Sequence, residues 1–346
     1  MIPSSFCVME KIFSFYYSEH VHVHISEALN ADEQTFVEGR KLIVEKCLKN
    51  KDIKYKKSHV PVIAVLGSGG GERATVGLLG CLAQLAEENL LDSVTYLCGV
   101  SGATWCMALL DEDPRWSLDL PKDLHQLVEK LLAEWSFEEI LNWLSEAVED
   151  ENYSLTDFWA ATVVYYITKQ MNKQRLSEQK RRDATNPYPI YTVLDKKLKQ
   201  HQQKTSPWFE ISPHEAGYSY LGAFVDTEFF GSQFEAGNLK KNIKEMDMLY
   251  LQGLCGSALA DEDNNNQYIY KWICEWIKTL WGLRSSRTEL RLHDQNARVA
   301  VSEDPLEEAL DDLIQLHDNY EDDDQNCALL LKLQKLQSGP VTERNM

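Results

Sequence analysis

The sequence predicts an α/β fold: a three-layer α/β/α domain with a mostly parallel central sheet and a helical cap insert. Three observations predict it. Val60–Leu66 is a continuous apolar run rich in β-branched residues, the pattern of a strand covered on both faces. Val94–Cys98 is a second run of the same kind. Each is followed by a glycine turn and then by helical spacing, over Ala74–Glu88 in the first case and after Gly102 in the second. Strand, helix, strand, helix at this interval implies parallel strands with helices on the sheet faces.

The remaining elements follow in order. Residues 35–50 place Phe36, Ile43, Cys47 and Leu48 at helical spacing, a helix docked ahead of the first strand. From Leu118 the character changes. Leu124, Leu127, Val128, Leu131, Leu132 and Trp135 mark one helical face, and Ile140, Leu141, Leu144 and Val148 mark another. This all-helical insert, about 118–182, closes at the Pro-punctuated KRRDATNPYP. Strand patterns return at Pro189–Leu194, Trp208–Ser212 and Leu221–Val225, and Trp272, Trp276 and Trp281 mark a further helix. Beyond Ser285 come the acid runs EDPLEEALDDL and YEDDDQN, expected as a solvated, partly disordered tail. The expected division is an extension over 1–34, a domain over 35–283 and an acidic tail over 284–346.

Composition narrows the function. Hydrophobic residues at 44% and aromatic residues at 10% belong to an ordinary globular protein. A net charge of −19 argues against nucleic acid as a partner and against electrostatic adhesion to anionic lipid. The eight cysteines form no C-x-x-C pair, and several lie in apolar runs as reduced residues do. No apolar stretch is long enough to span a bilayer, and Glu10 and Lys11 interrupt the N-terminal apolar patch, so a cytoplasmic protein is expected. The alternation His20-x-His22-x-His24 lacks a completing carboxylate or thiol and reads as exposed strand or coil. Asp261, Asp263 and Asn265 fail as a calcium loop, because Asn266 stands where the turn glycine belongs. No metal and no cofactor are expected.

Two turns carry the chemistry. Gly67-Ser68-Gly69-Gly70-Gly71-Glu72-Arg73-Ala74 is not a P-loop, because no Gly-Lys-[Ser/Thr] follows. A dinucleotide loop would need an acid at the end of the second strand, where Tyr96-Leu97-Cys98-Gly99-Val100-Ser101 stands instead. The third reading is an oxyanion hole, with the N–H groups of Gly70 and Gly71 aimed at a tetrahedral intermediate. Gly99-Val100-Ser101-Gly102-Ala103 departs from G-x-S-x-G only at its last position. Its place between a buried strand and a helix makes Ser101 a candidate nucleophile.

GSGGGERA followed by LLDSVTYLCGVSGATW resembles the catalytic domain of the group IV cytosolic phospholipases A2. The similarity continues in NPYPIYTVLD, in SPWFEISPHEAGYSYLGAFVDTEFFGSQF and in LQGLCGSALA, covering roughly residues 35–283. It is nearest to the gamma branch, which lacks a C2 domain and does not need calcium; no C2 domain fits before Val60. The resemblance implies release of fatty acid from a glycerophospholipid or lysophospholipid by a serine–aspartate dyad. Ser101 is then the nucleophile, Gly70 and Gly71 the oxyanion donors, and Arg73 the cation for phosphate or developing charge. Ala103 replaces the family's usual serine, a change expected to be tolerated.

The family's dyad aspartate lies in a D-x-G segment, and no D-x-G occurs in these 346 residues. The domain is therefore expected to be incomplete on its C-terminal side, with an exposed sheet edge where later strands would pair. A catalytically inactive form that binds lipid or a full-length relative is the alternative. Peripheral association with a phospholipid membrane surface is expected to rest on apolar side chains, with Trp116, Trp135, Phe137 and Trp143 as candidates. The basic clusters Lys54-Tyr55-Lys56-Lys57 and Lys180-Arg181-Arg182 are the alternative docking sites.

Overall fold

A computed structural model describes residues 21–147, 153–195 and 206–256. The chain divides into two units, one holding the described residues 21–136 and 160–256 and the other holding 137–147 and 153–159.

The first unit is built on a seven-stranded sheet. In chain order its strands are β1 (His24–Ile25), β2 (Ala64–Gly67), β3 (Tyr96–Val100), β4 (Tyr188–Leu194), β5 (Trp208–Ile211), β6 (Glu215–Tyr218) and β7 (Ala223–Asp226). Across the sheet they lie in the order β1-β7-β6-β5-β4-β3-β2. Strands β2, β3 and β4 are mutually parallel, with Val65 opposite Leu97 and Cys98 opposite Ile190. The four remaining pairings are antiparallel. The α/β class is as expected, but the parallel part is confined to the half that carries the two turns. Loop length imposes this on β5 to β7: only 212–214 separate β5 from β6 and only 219–222 separate β6 from β7, and such short links cannot make a crossover. A separate hairpin, β8 (Gln233–Glu235) with β9 (Asn238–Lys241), follows.

Helices pack on this frame. The first, α1 (Ala31–Asn50), begins at Asn30, whose side chain accepts from the N–H of Asp32. It is anchored by Arg40, which is fully buried and donates to the carbonyls of Val94 (2.7 Å), Leu91 (3.2 Å), Ala184 and Thr185. Burial pulls the Arg40 guanidinium down to about 10, so it stays charged at neutral pH. Helix α2 (Glu72–Glu87) follows β2 and turns Leu78, Leu79 and Leu82 inward. Helix α3 (Gly102–Leu110) follows β3 and is buried at every residue, as a helix apolar all round must be. Helix α4 (Trp116–Leu132) packs against α2, with Trp116 and Leu120 in the same core.

The second unit shows α5 (Phe137–Ala147) and α6 (Leu155–Trp159), with Ile140, Trp143 and Leu144 of α5 buried. A π-helical turn (Ala160–Val164) and α7 (Tyr165–Thr168) belong to the first unit, and α8 (Met248–Gly256) ends its described part. Among the described residues the stretch between Trp116 and Arg181 is helical wherever it is regular, as the insert's periodicity requires.

Several expectations change. The run Val60–Leu66 is not covered on both faces. Its strand starts at Ala64, forms the sheet edge among the described residues, and leaves Val62 54% and Leu66 76% exposed. An edge strand lacks a neighbour on one side, so an apolar run alone does not show how many faces are covered. Of the aromatic candidates for membrane contact, Trp116 and Trp143 are buried, and Trp135 is half-buried edge-on to Tyr166. The side chain of Phe137 lies outside the described residues. In the cluster Lys180-Arg181-Arg182, Lys180 is held by Asp226 and Glu228 and Arg182 faces Asp111, which leaves the exposed Arg181 as its one cation without an ion pair among the described residues. His24 pairs with Glu215 at 3.2 Å, while His20, the Trp272–Trp281 helix, the Asp261–Asn265 segment and the acidic tail lie outside the described residues.

Candidate active site

The site is made by two strand–turn–helix units lying side by side. Parallel pairing of β2 with β3 sets Gly67 opposite Gly99, so both chains leave the sheet at the same level. Each then reverses into a helix through an N-cap residue at positive φ, preceded in the first turn by Gly70 at φ 145°. Gly71 is the N-cap of α2 at φ 59°, ψ −137°, and Ser101 is the N-cap of α3 at φ 55°, ψ −133°. That backbone is open to glycine and strained for any residue with a Cβ, by about 1–3 kcal/mol. Ser101 holds it nonetheless. The strain turns its hydroxyl out of the strand and onto the mouth of the helix, the geometry a nucleophile elbow needs.

The two turns touch backbone to backbone. A Cβ on Gly102 would fall 2.0 Å from the carbonyl oxygen of Gly71, so no side chain can lie between them. Gly67 is similarly close to Ala103, whose fully buried methyl fills the contact. This close approach keeps the Ser101 turn from moving nearer to the Gly70–Gly71 loop. Among the described residues, no carbonyl accepts the N–H groups of Gly70 or Gly71. The amino ends of α2 and α3 converge here, so their dipoles place partial positive charge at the same point. Free N–H groups beside a serine on a positive helix end can hold an oxyanion formed at that serine.

Ser101 is 7% exposed. Its Oγ donates to the carbonyl of Gly256 at 3.0 Å, and its own N–H donates to the carbonyl of Cys255 at 3.1 Å. Both acceptors lie at the end of α8, which is seated by the indole of Trp105 donating to the carbonyl of Gln252 at 2.9 Å. Spacing arguments could not find this partner, because backbone carbonyls carry no residue signature. Only the stretch LQGLCGSALA marked the segment at all. Thr75, fully buried behind the glycine loop, is a second residue that pattern reading missed.

Arg73 sits on the first turn of α2, exposed and with no ion-pair partner among the described residues. Lys169, in a left-handed conformation after α7, is close enough to Glu72 to feel its charge. Burial pulls its ammonium down while Glu72 pulls it up. The nearby thiols do not compete with the serine: burial pushes Cys98 up to about 11, and Cys106 and Cys255 well above their ordinary value.

The sequence profile described as the lysophospholipase catalytic domain matches residues 63–337. Among curated proteins, human cytosolic phospholipase A2 gamma is 41% identical over 254 residues, covering 72% of this chain and 46% of that protein. Human cytosolic phospholipase A2 zeta is 39% identical over 67% of this chain and 29% of its own length. The chain thus spans less than half the length of these relatives. Among solved structures, human GIVD cytosolic phospholipase A2 superposes with a TM-score of 0.61 at 34% identity, over 69% of this chain and 34% of that one. The same enzyme in complex with methyl gamma-linolenyl fluorophosphonate superposes with a TM-score of 0.59.

Proposed function

We infer that this chain, which belongs to the lysophospholipase catalytic-domain family together with the cytosolic phospholipases A2, is a serine acyl hydrolase releasing fatty acid from glycerophospholipids or lysophospholipids. The observation that carries this reading is Ser101, held at φ 55° on a turn packed against the Gly70–Gly71 loop, whose N–H groups have no backbone acceptor among the described residues. Ser101 Oγ attacks the ester carbonyl while its proton passes to a base. The carbonyl oxygen becomes an oxyanion on the Gly70 and Gly71 N–H groups, and Arg73 engages the phosphate. Collapse expels the glycerol oxygen, which takes up a proton, and water then cleaves the acyl-serine.

The base is the demanding part. The carbonyl of Gly256 cannot take the hydroxyl proton, so attack needs a carboxylate brought to the same side of the turn. The family resemblance supplies an aspartate for this in a D-x-G segment, and no D-x-G occurs in this sequence. The Gly256 contact therefore also supports a second reading, in which the chain binds lipid or a longer relative without turnover. We assign the catalytic unit to about 35–283, with the insert of about 118–182 as its cap and 284–346 as an acidic tail. Its partners are lipids rather than nucleic acid, given a net charge of −19.

No helix among the described residues is long and apolar enough to cross a membrane. We place the protein in the cytoplasm, meeting intracellular membranes peripherally through apolar side chains such as Leu118 and Leu132 of α4, which are 54% and 79% exposed. Binding to phosphatidylcholine vesicles is expected to be nearly insensitive to salt; binding that needs anionic lipid would contradict this docking mode.

A lipid fluorophosphonate tests the reaction class. The 346-residue chain is expected to be labelled, with labelling lost in Ser101→Ala. Equal labelling of the two would reject Ser101 as nucleophile. A parent chain that binds vesicles but is neither labelled nor releases fatty acid from lysophosphatidylcholine would establish the second reading.

A further inference from the structure

We propose that Thr75 is the positioning residue that locks the oxyanion loop to the nucleophile turn. The proposal rests on the reading of Ser101 as nucleophile and of Gly70 and Gly71 as donors. Thr75 stands on the first turn of α2 and is fully buried. Its Oγ1 donates to the carbonyl of Gly102 at 2.8 Å and lies 3.2 Å from the carbonyl of Gly71. A hydroxyl has one proton, and the shorter contact claims it. The bond therefore runs from the helix that follows the glycine loop to the residue that follows the nucleophile.

Among the described residues, and beyond the β2–β3 ladder that ends at Gly67 and Gly99, no other hydrogen bond joins the two turns. The N–H groups of Ala74 and Thr75 both return to the Gly71 carbonyl (3.0 and 3.1 Å), holding the loop to its own helix. The N–H of Thr104 returns to the Ser101 carbonyl at 2.9 Å, holding the second turn to its own helix. Gly71 and Gly102 meet only by van der Waals contact. Contact keeps the turns from moving closer but does little to keep them from sliding. The Thr75 hydroxyl adds the directional restraint. The restraint matters because oxyanion donors act over a few tenths of an ångström, and a misplacement near 1 Å costs on the order of 10²-fold.

The test compares Thr75→Val, which keeps the shape and removes the hydroxyl, with Thr75→Ser, which keeps the hydroxyl and removes the methyl. Labelling of the 346-residue chain by a lipid fluorophosphonate is expected to slow by ~10–100-fold in Thr75→Val, with the half-saturating probe concentration little changed. Thr75→Ser is expected to label within about threefold of the parent. Parent-like labelling of a folded Thr75→Val overturns the proposal, as does a Thr75→Ser that is folded and as slow as Thr75→Val. Hydrogen exchange gives a reading that needs no chemistry at Ser101. In Thr75→Val, peptides covering 67–76 and 99–105 are expected to lose protection together while those of β4 and α1 keep theirs. Unchanged exchange in both overturns the proposal even if the parent chain is not labelled, an outcome that by itself would bear on the proposed function.

Discussion

The turn at Gly71 and the turn at Ser101 have the same backbone within a few degrees, and opposite reasons for it. At Gly71 the residue type makes the conformation free, a Cβ would meet no atom within 4 Å, and the loop is part-exposed. At Ser101 the residue type opposes the conformation. It persists because the surroundings impose it: a buried turn, two carbonyls of α8 and the backbone of the first turn pressed against it. The difference teaches that the first turn is shaped locally and the second by packing. The cost of the second is the one tied to the proposed function, since a glycine there would relax the turn and remove the hydroxyl.

Substitutions can break or sharpen that comparison. The largest effect is expected at Gly102, where a methyl group would overlap the Gly71 carbonyl. Gly102→Ala should destabilise the fold by about 3 kcal/mol and abolish labelling. Denaturant melts that match the parent would mean the turns are not in contact.

Gly71→Ala comes next. With open space around the site its cost is conformational alone, about 1–3 kcal/mol. Displaced donors should slow labelling by ~10²-fold. If stability falls and labelling does not, the Gly71 N–H is not a donor and Gly70 alone would be.

Smaller and opposite in sign is the comparison at position 101. Neither Ser101→Ala nor Ser101→Gly can be labelled, but glycine should be the more stable by about 1 kcal/mol, because only alanine keeps the strain. Equal melts would remove the claim that packing imposes this turn.

The smallest effect is a control on α2. Gly77 and Gly80 face open space within a helix, so alanine at each should add about 0.5–1 kcal/mol without changing the labelling rate. A change in labelling there would show that the loop reads the whole helix rather than its first turn.

Much of this molecule is legible in its amino-acid sequence. The apolar runs and glycine turns place β2, β3 and their helices in parallel, because buried strand and helix periods are local properties of the chain. Ser101, Gly70, Gly71 and Arg73 stand out for the same reason, and the fold brings their segments to one place. The sequence could not show that Val60–Leu66 lies at an edge, since coverage depends on what packs beside a strand. It could not show that β4 to β7 run antiparallel; short links impose this on β5, β6 and β7, but the longer 195–207 link between β4 and β5 leaves that pairing to tertiary packing. Nor could it assign Trp116 to the core rather than to a lipid surface, because an amphipathic helix does not state which of its apolar residues face inward.

What the sequence determined by itself is the pair of turns and their residue types, since glycine and serine at strand ends act through local backbone geometry. What only the tertiary structure decided is how the turns meet. The Gly71–Gly102 contact, the Thr75 hydroxyl bridging 27 residues, and the Gly256 carbonyl reaching back 155 residues to Ser101 are long-range relations. Each depends on strand register and on helices packing over the sheet. No local pattern encodes those distances, because a hydrogen bond between remote segments exists only once the chain between them has folded.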